Sequence, residues 1–165
     1  MMTMTKMKMM TISEPVLRRG TLDDLEQIAI VEERAFGIHA YDYPSLRYML
    51  KKTNAITVVS EVDGKVAGYA TVYIGMKSRI AHIESIAVDP DYQGTGLGRR
   101  MLLELERISL ERGCHKIVLE TFENNKAAMN FYKNSGYVFD KVVNDYYVIP
   151  YDGSRNAVKF HKFMV

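Results

Sequence analysis

Gln93-Gly94-Thr95-Gly96-Leu97-Gly98-Arg99 sets three glycines at alternate positions between Asp89-Pro90 and an apolar stripe of helical spacing. Glycine at such a junction lets the backbone turn through positive φ and brings N–H groups close to a ligand. The first turn of the helix that follows adds unpaired donors and the positive end of its dipole. Phosphate is the guest that suits such a junction. A P-loop would close on Gly-Lys and then Ser or Thr, but Gly98 is followed by Arg99-Arg100. A dinucleotide fingerprint starting at Gly94 needs glycine or alanine at position 99, which is Arg99. What fits is Gln93-x-x-Gly96-x-Gly98, directly after an apolar strand that ends in Ile86-Ala87-Val88.

Proton-transfer chemistry has its own candidates. Glu120 ends the apolar run Ile117-Val118-Leu119. His82 and Glu84 alternate with apolar residues over 80–88, so simple alternation puts His82, Glu84, Ile86 and Val88 on one face of a strand. The lone Cys114 allows no disulfide and no CxxC metal or redox site, and no metal is expected.

These residues need positioning. Strands are expected at 16–19, 55–62, 66–75, 80–88, 116–121, 137–143 and 157–165. Asp63-Gly64-Lys65 joins the second and third as a hairpin. Thr21 with Asp24 opens a helix that Gly37 ends, its apolar stripe set by Leu22, Leu25, Ile28, Ala29 and Phe36 and its polar face by Glu26, Gln27, Glu32 and Arg34. Pro44 sits in the first turn of a second helix. A long helix is expected over 96–112, with Leu97, Met101, Leu105 and Ile108 inward and Gly113 after it, and a short one over 126–134. This order predicts an α/β (α+β) fold, a mixed and mostly antiparallel sheet with helices on both faces.

The 165 residues fit one domain at about 150 residues per domain, here 15–165. Ahead of it, 1–14 reads as a flexible tail in which Met1, Met2, Met4, Met7, Met9 and Met10 crowd together. A net charge of +2, from 22 Lys and Arg against 20 Asp and Glu, argues against a nucleic-acid partner. With no run of about 18 apolar residues and no signal-like segment, no membrane partner is expected and the cytoplasm is the expected compartment.

From Val16 to Met164 the chain resembles the GCN5-related N-acetyltransferase superfamily, and within it most closely the RimI-like and archaeal N-terminal protein acetyltransferases. The resemblance rests on the glycine loop, on Ile86-Ala87-Val88 at the family's distance before it, on Asn125 five and Tyr132 twelve residues after Glu120, and on Gly136-Tyr137 after the following helix. It implies acetyl-CoA as cofactor, with CoA as product. Its pantetheine arm would pair with the backbone of Ile86, Ala87 and Val88, and its pyrophosphate would lie on Gln93, Gly94, Thr95, Gly96, Leu97, Gly98 and Arg99. Asn125 would hold the arm; capping the helix after it is the plainer alternative, and the two roles are compatible.

Acetyl transfer to an amine requires a neutral amine, a polarised thioester carbonyl and a protonated leaving thiolate. The resemblance assigns the base to Glu120, with His82 as a second route, and the acid to Tyr132. An N–H near Val88 would face the developing oxyanion. A strand-end ion pair for Glu120 and a core tyrosine at 132 are the plainer alternatives. It implies transfer in a ternary complex to the α-amino group of protein or peptide N-termini, ribosomal proteins among them. Tyr41, Asp42, Tyr146 and Tyr147 would meet the acceptor; Glu84, which is no general family feature, is a further candidate for contact with its amine, with a sheet-surface charge as the alternative. Tyr41-Asp42-Tyr43-Pro44 departs from the archaeal Glu-Asn-Tyr-Pro, which leaves the first-residue preference open. Lysine, polyamine or other small-amine acetylation is the nearest rival, and a non-catalytic acyl-CoA sensor the rival of another class.

Overall fold

In the computed structural model residues 13–165 are described; most of the predicted 1–14 tail, residues 1–12, lies outside them. The chain runs β1 (Val16–Arg19), α1 (Leu25–Phe36), α2 (Tyr43–Lys51), β2 (Ala55–Val62), β3 (Lys65–Ile74), β4 (Ile80–Val88), α3 (Leu97–Glu111), β5 (Lys116–Phe122), α4 (Lys126–Asn134), β6 (Val138–Val143) and β7 (Ala157–Phe163). The strands form one sheet in the order β1-β2-β3-β4-β5-β7-β6. All neighbours are antiparallel except β4 and β5. The α/β architecture is the expected one, a mixed, mostly antiparallel sheet with helices on both faces.

Local chemistry explains the boundaries. Thr21 and Asp24 form the capping box, which opens first as a 3-10 turn at Leu22–Asp24 and continues as α1. Asp42 Oδ1 accepts from the Ser45 N–H at 2.8 Å, and Pro44 lies in the first turn of α2. The β2–β3 hairpin turns through Asp63 and Gly64, at φ 52° and 78°, a pair of positive values that matches the twist of the strands it joins.

Two cores hold the helices to the sheet. On one face Leu97, Met101, Leu102, Leu105 and Ile108 of α3 bury against Val72, Ile83, Ile117, Leu119 and Phe160. On the other, Leu25, Ile28 and Val31 of α1 and Leu46 and Met49 of α2 pack on Val59, Tyr69 and Ala87.

Two expectations are corrected here. Glu32, assigned above to the polar face of α1, is 1% exposed. Its carboxylate accepts from the Tyr69 hydroxyl at 2.5 Å and the Tyr41 backbone N–H at 2.8 Å, bonds that offset the cost of its burial. The even-numbered residues of β4 also do not share a face. Thr71 pairs with Ser85 but Val72 pairs with Ile83, so Glu84 is an extra residue in the ladder. Such a bulge reverses side-chain alternation. Ile83 accordingly packs with the α3 core and Ala87 with the α1 core, while Ile86 and Val88 turn towards α3.

Candidate active site

Beyond the bulge β4 parts from β5. Their pairing covers only Ile80 with Lys116, Ala81 with Ile117 and His82 with Val118, although β4 continues to Val88 and β5 to Phe122. The β5-facing backbone of 83–88 therefore has no strand partner. Backbone polar groups withdrawn from water need partners, and an open strand edge takes an extended ligand as if it were another strand.

A cleft of about 450 Å³ opens beside this edge on the α3 side of the sheet. Ile86 and Val88 line it with Gly94, Gly96, Gly98 and Arg99, facing Ala128, Phe131 and Tyr132 of α4 and Ser135 at its C-cap. Gly94 and Gly96 stand at φ 80° and 84°; a Cβ there would meet nothing within 4 Å, so the requirement for glycine is conformational. A Cβ on Gly98 would instead stand 3.6 Å from Val88 Cγ2 and 3.7 Å from Phe131, filling the space above the first turn of α3. Gln93 Nε2 donates to the Val88 carbonyl at 3.2 Å and Thr95 Oγ1 to the Tyr92 carbonyl at 2.6 Å, which fasten the loop. Leu97 is buried and also lines the cleft. An unpaired helix end, an open strand edge and an apolar wall fit a pyrophosphate joined to an extended amide arm.

Asn125 does not line this cleft. Its Oδ1 accepts from the Ala128 N–H at 3.1 Å as the cap of α4. Asn125→Ala is therefore expected to lower unfolding stability by about 1 kcal/mol in a urea titration.

The other face of the gap carries the titratable groups. His82 Nε2 lies 2.5 Å from Glu120 Oε2, and His82 Nδ1 lies 3.6 Å from Glu84 Oε2. Burial pushes the Glu120 carboxyl up, but the hydrogen bond and charge of His82, with Lys159 behind it, outweigh burial and hold it below its ordinary range. The same bond raises the imidazole of His82, burial opposes it, and the charges of Glu120 and Glu84 add to the rise. The Tyr41 hydroxyl donates to Glu84 Oε1 at 2.7 Å. Tyr147 stacks on Phe122 at 3.7 Å and meets Tyr146 edge-on at 4.8 Å. Burial raises both phenols, and the charges of Glu120 and Glu84 add to it. Asp42 is not brought here, because its carboxylate caps α2.

Tyr132 lines the cleft from α4. Its ring packs edge-on against Phe131 and Tyr137, and burial alone pushes its phenol well above its ordinary range.

Several residues that build the site escaped sequence reasoning. Ala128, Phe131 and Ser135 fall with Tyr132 at i, i+3, i+7 and i+4, a helical stripe that would have pointed to the cleft wall. Glu32 follows Ile28 by four on the apolar stripe of α1, where a carboxylate is out of place. His39 carried no such signal. Its Nε2 lies 2.9 Å from the Pro150 carbonyl, and its ring sits against Phe122 and Tyr151.

A model of the acetyltransferase (GNAT) family matches residues 22–137. The chain is 32% identical over 136 residues to an uncharacterized N-acetyltransferase of Methanocaldococcus jannaschii, covering 80% of this chain and 83% of that protein. It is 31% identical over 96 residues to a glucosamine 6-phosphate N-acetyltransferase of Trypanosoma brucei brucei, covering 54% of this chain and 63% of that protein. It thus spans under two thirds of that relative's length. The crystal structure of the ribosomal-protein-S18-alanine N-acetyltransferase of Escherichia coli superposes with a TM-score of 0.83 at 25% identity, over 92% of this chain and 96% of that one. The chain belongs to the acetyltransferase (GNAT) family.

Proposed function

We propose that the chain transfers an acetyl group from acetyl-CoA to the α-amino group of protein or peptide N-termini, by direct attack while both substrates are bound. The observation that carries this reading is the closure of the acceptor side. Residues 37–42 and the segment between β6 and β7 meet across it through the His39–Pro150 contact and the rings of Phe122, Tyr147 and Tyr151. Such a strap admits a slender chain end more readily than a side chain on a protein surface. The likeness to the S18-alanine enzyme supports the same acceptor class.

The charges also favour an amine that arrives as a cation. Glu84 and Glu120 flank His82, with Lys159 as the opposing charge beside Glu120. A phosphorylated amino sugar, the acceptor named for the trypanosomal relative, would meet carboxylates at that position. An α-amine, which ordinarily titrates near ~8, also loses its proton more easily than a lysine near ~10.4, so a weak base suffices.

Acetyl-CoA, when bound, supplies the activated thioester. Within the protein, the helix end at Gly96 and Gly98 holds the anionic part and the free edge of β4 aligns the arm. The Glu120–His82 pair takes the proton of the amine and Tyr132 delivers one to the departing sulfur. The test is single-turnover transfer to peptides with free Ser, Ala, Met or Glu N-termini, each paired with an N-blocked version containing lysine, with mass spectrometry to locate the label. Acetyl on the free α-amine alone is expected, with the Glu peptide the poorest acceptor. Label confined to lysine would refute the α-amine assignment, and tight acetyl-CoA binding with no label on any peptide would favour a sensor.

A further inference from the structure

Glu84 is partly buried, and its carboxylate is already engaged by protein groups. It is the inserted residue of the β4 bulge, and both of its carboxylate oxygens already face protein groups: Oε1 receives the Tyr41 hydroxyl at 2.7 Å and Oε2 lies 3.6 Å from His82 Nδ1. His82 is thereby held between two carboxylates, with Glu120 on its other nitrogen. Tyr41 is itself fixed, since its backbone N–H donates to buried Glu32, which also receives the Tyr69 hydroxyl. A continuous path of polar contacts runs from the α1 core to the carboxylate at the gap. Without the bulge, strict alternation would not bring Glu84 and Ser85 both to this face.

We propose that Glu84 is a positioning residue for His82, fixing the ring's orientation and favouring its protonated form, while Tyr41 holds Glu84 in place. The inference rests on reading Glu120 and His82 as the proton-accepting pair. In that reading the competent form is carboxylate plus neutral imidazole, so turnover rises with pH as the ring gives up its proton. The charges and rings facing His82 are Glu120 from β5, Lys159 from β7, Tyr73 from β3, and Glu84 with Tyr41 behind it. Glu120 stays in place in every variant below, so changes at Glu84 and Tyr41 read out the second carboxylate alone.

Glu84→Gln keeps the size and the acceptor for Tyr41 but removes the negative charge beside Nδ1. The ring then holds its proton less tightly, and the rising limb of kcat is expected to move to lower pH by about one unit. Tyr41→Phe does the reverse. It strips the donor from Glu84, leaves the carboxylate free to strengthen its contact with His82, and is expected to move the limb to higher pH. The ring itself is followed by proton NMR through its Cε1–H, the His82 signal among the four histidines being identified by its loss in His82→Gln.

Opposite shifts of the ring titration in the two variants, matched by the kcat limb, are the expected result. A ring titration that Glu84→Gln leaves unmoved, or a rise in KM alone, would overturn the proposal by making Glu84 a substrate contact or a structural charge. Should Glu84→Gln not fold, Tyr41→Phe alone decides, an unmoved or downward ring titration overturning the proposal. If the ring shifts as expected and the kcat limb does not, Glu84 keeps its role toward His82 and it is the assignment of the base that fails.

Discussion

Glu120→Gln is expected to lower kcat for a free-amine peptide by about 10²–10³-fold, within the range that general acid–base groups contribute, while acetyl-CoA binding is kept. The substitution preserves shape and a hydrogen-bonding partner for His82, so the gap between β4 and β5 should stay as it is. Two things are lost together. The amide cannot take a proton, and His82 loses the charge-assisted bond that most raises its own proton affinity. What remains is an imidazole beside Glu84, which predicts residual activity rather than none. Calorimetric titration of acetyl-CoA and a thermal melt are the controls. A kcat within threefold of wild type, with binding intact, would remove Glu120 from the chemistry and leave it the strand-end ion pair that its contact with His82 also describes.

Which parts of this site were legible beforehand follows from how far each signal reaches along the chain. The glycine loop, the cap at Thr21 and the hairpin at Asp63-Gly64 depend on neighbouring residues, and their types alone foretell them. The bulge at Glu84 does not. A two-residue period carries no mark of an inserted residue, so reading 80–88 by alternation put Ile86 and Val88 on the wrong face. Glu32 failed for a related reason. Its partners, the Tyr41 backbone and the Tyr69 hydroxyl, come from a loop and a strand that only the folded chain sets beside it. The strap from His39 to Pro150 joins residues 111 apart, and no local pattern announces it.

That distinction also decides what the second large effect should look like. Tyr132→Phe is expected to reduce kcat by about 10²-fold with KM for both substrates nearly unchanged. The ring's packing against Phe131 and Tyr137 survives the loss of one oxygen, so the cleft wall and its grip on the cofactor should persist. The hydroxyl is different in kind from that of Tyr41 or Tyr69, which donate to carboxylates. Burial is the sole influence on Tyr132, and it keeps the phenol protonated across any practical assay range. A group so held has its proton available whenever the thiolate departs. Wild-type kcat should therefore show no descending limb from this phenol below about pH 10, its unperturbed value. An unchanged kcat in Tyr132→Phe would return the residue to an ordinary place in the core. A raised KM for acetyl-CoA at constant kcat would instead make its hydroxyl a binding contact, with the leaving group protonated by water.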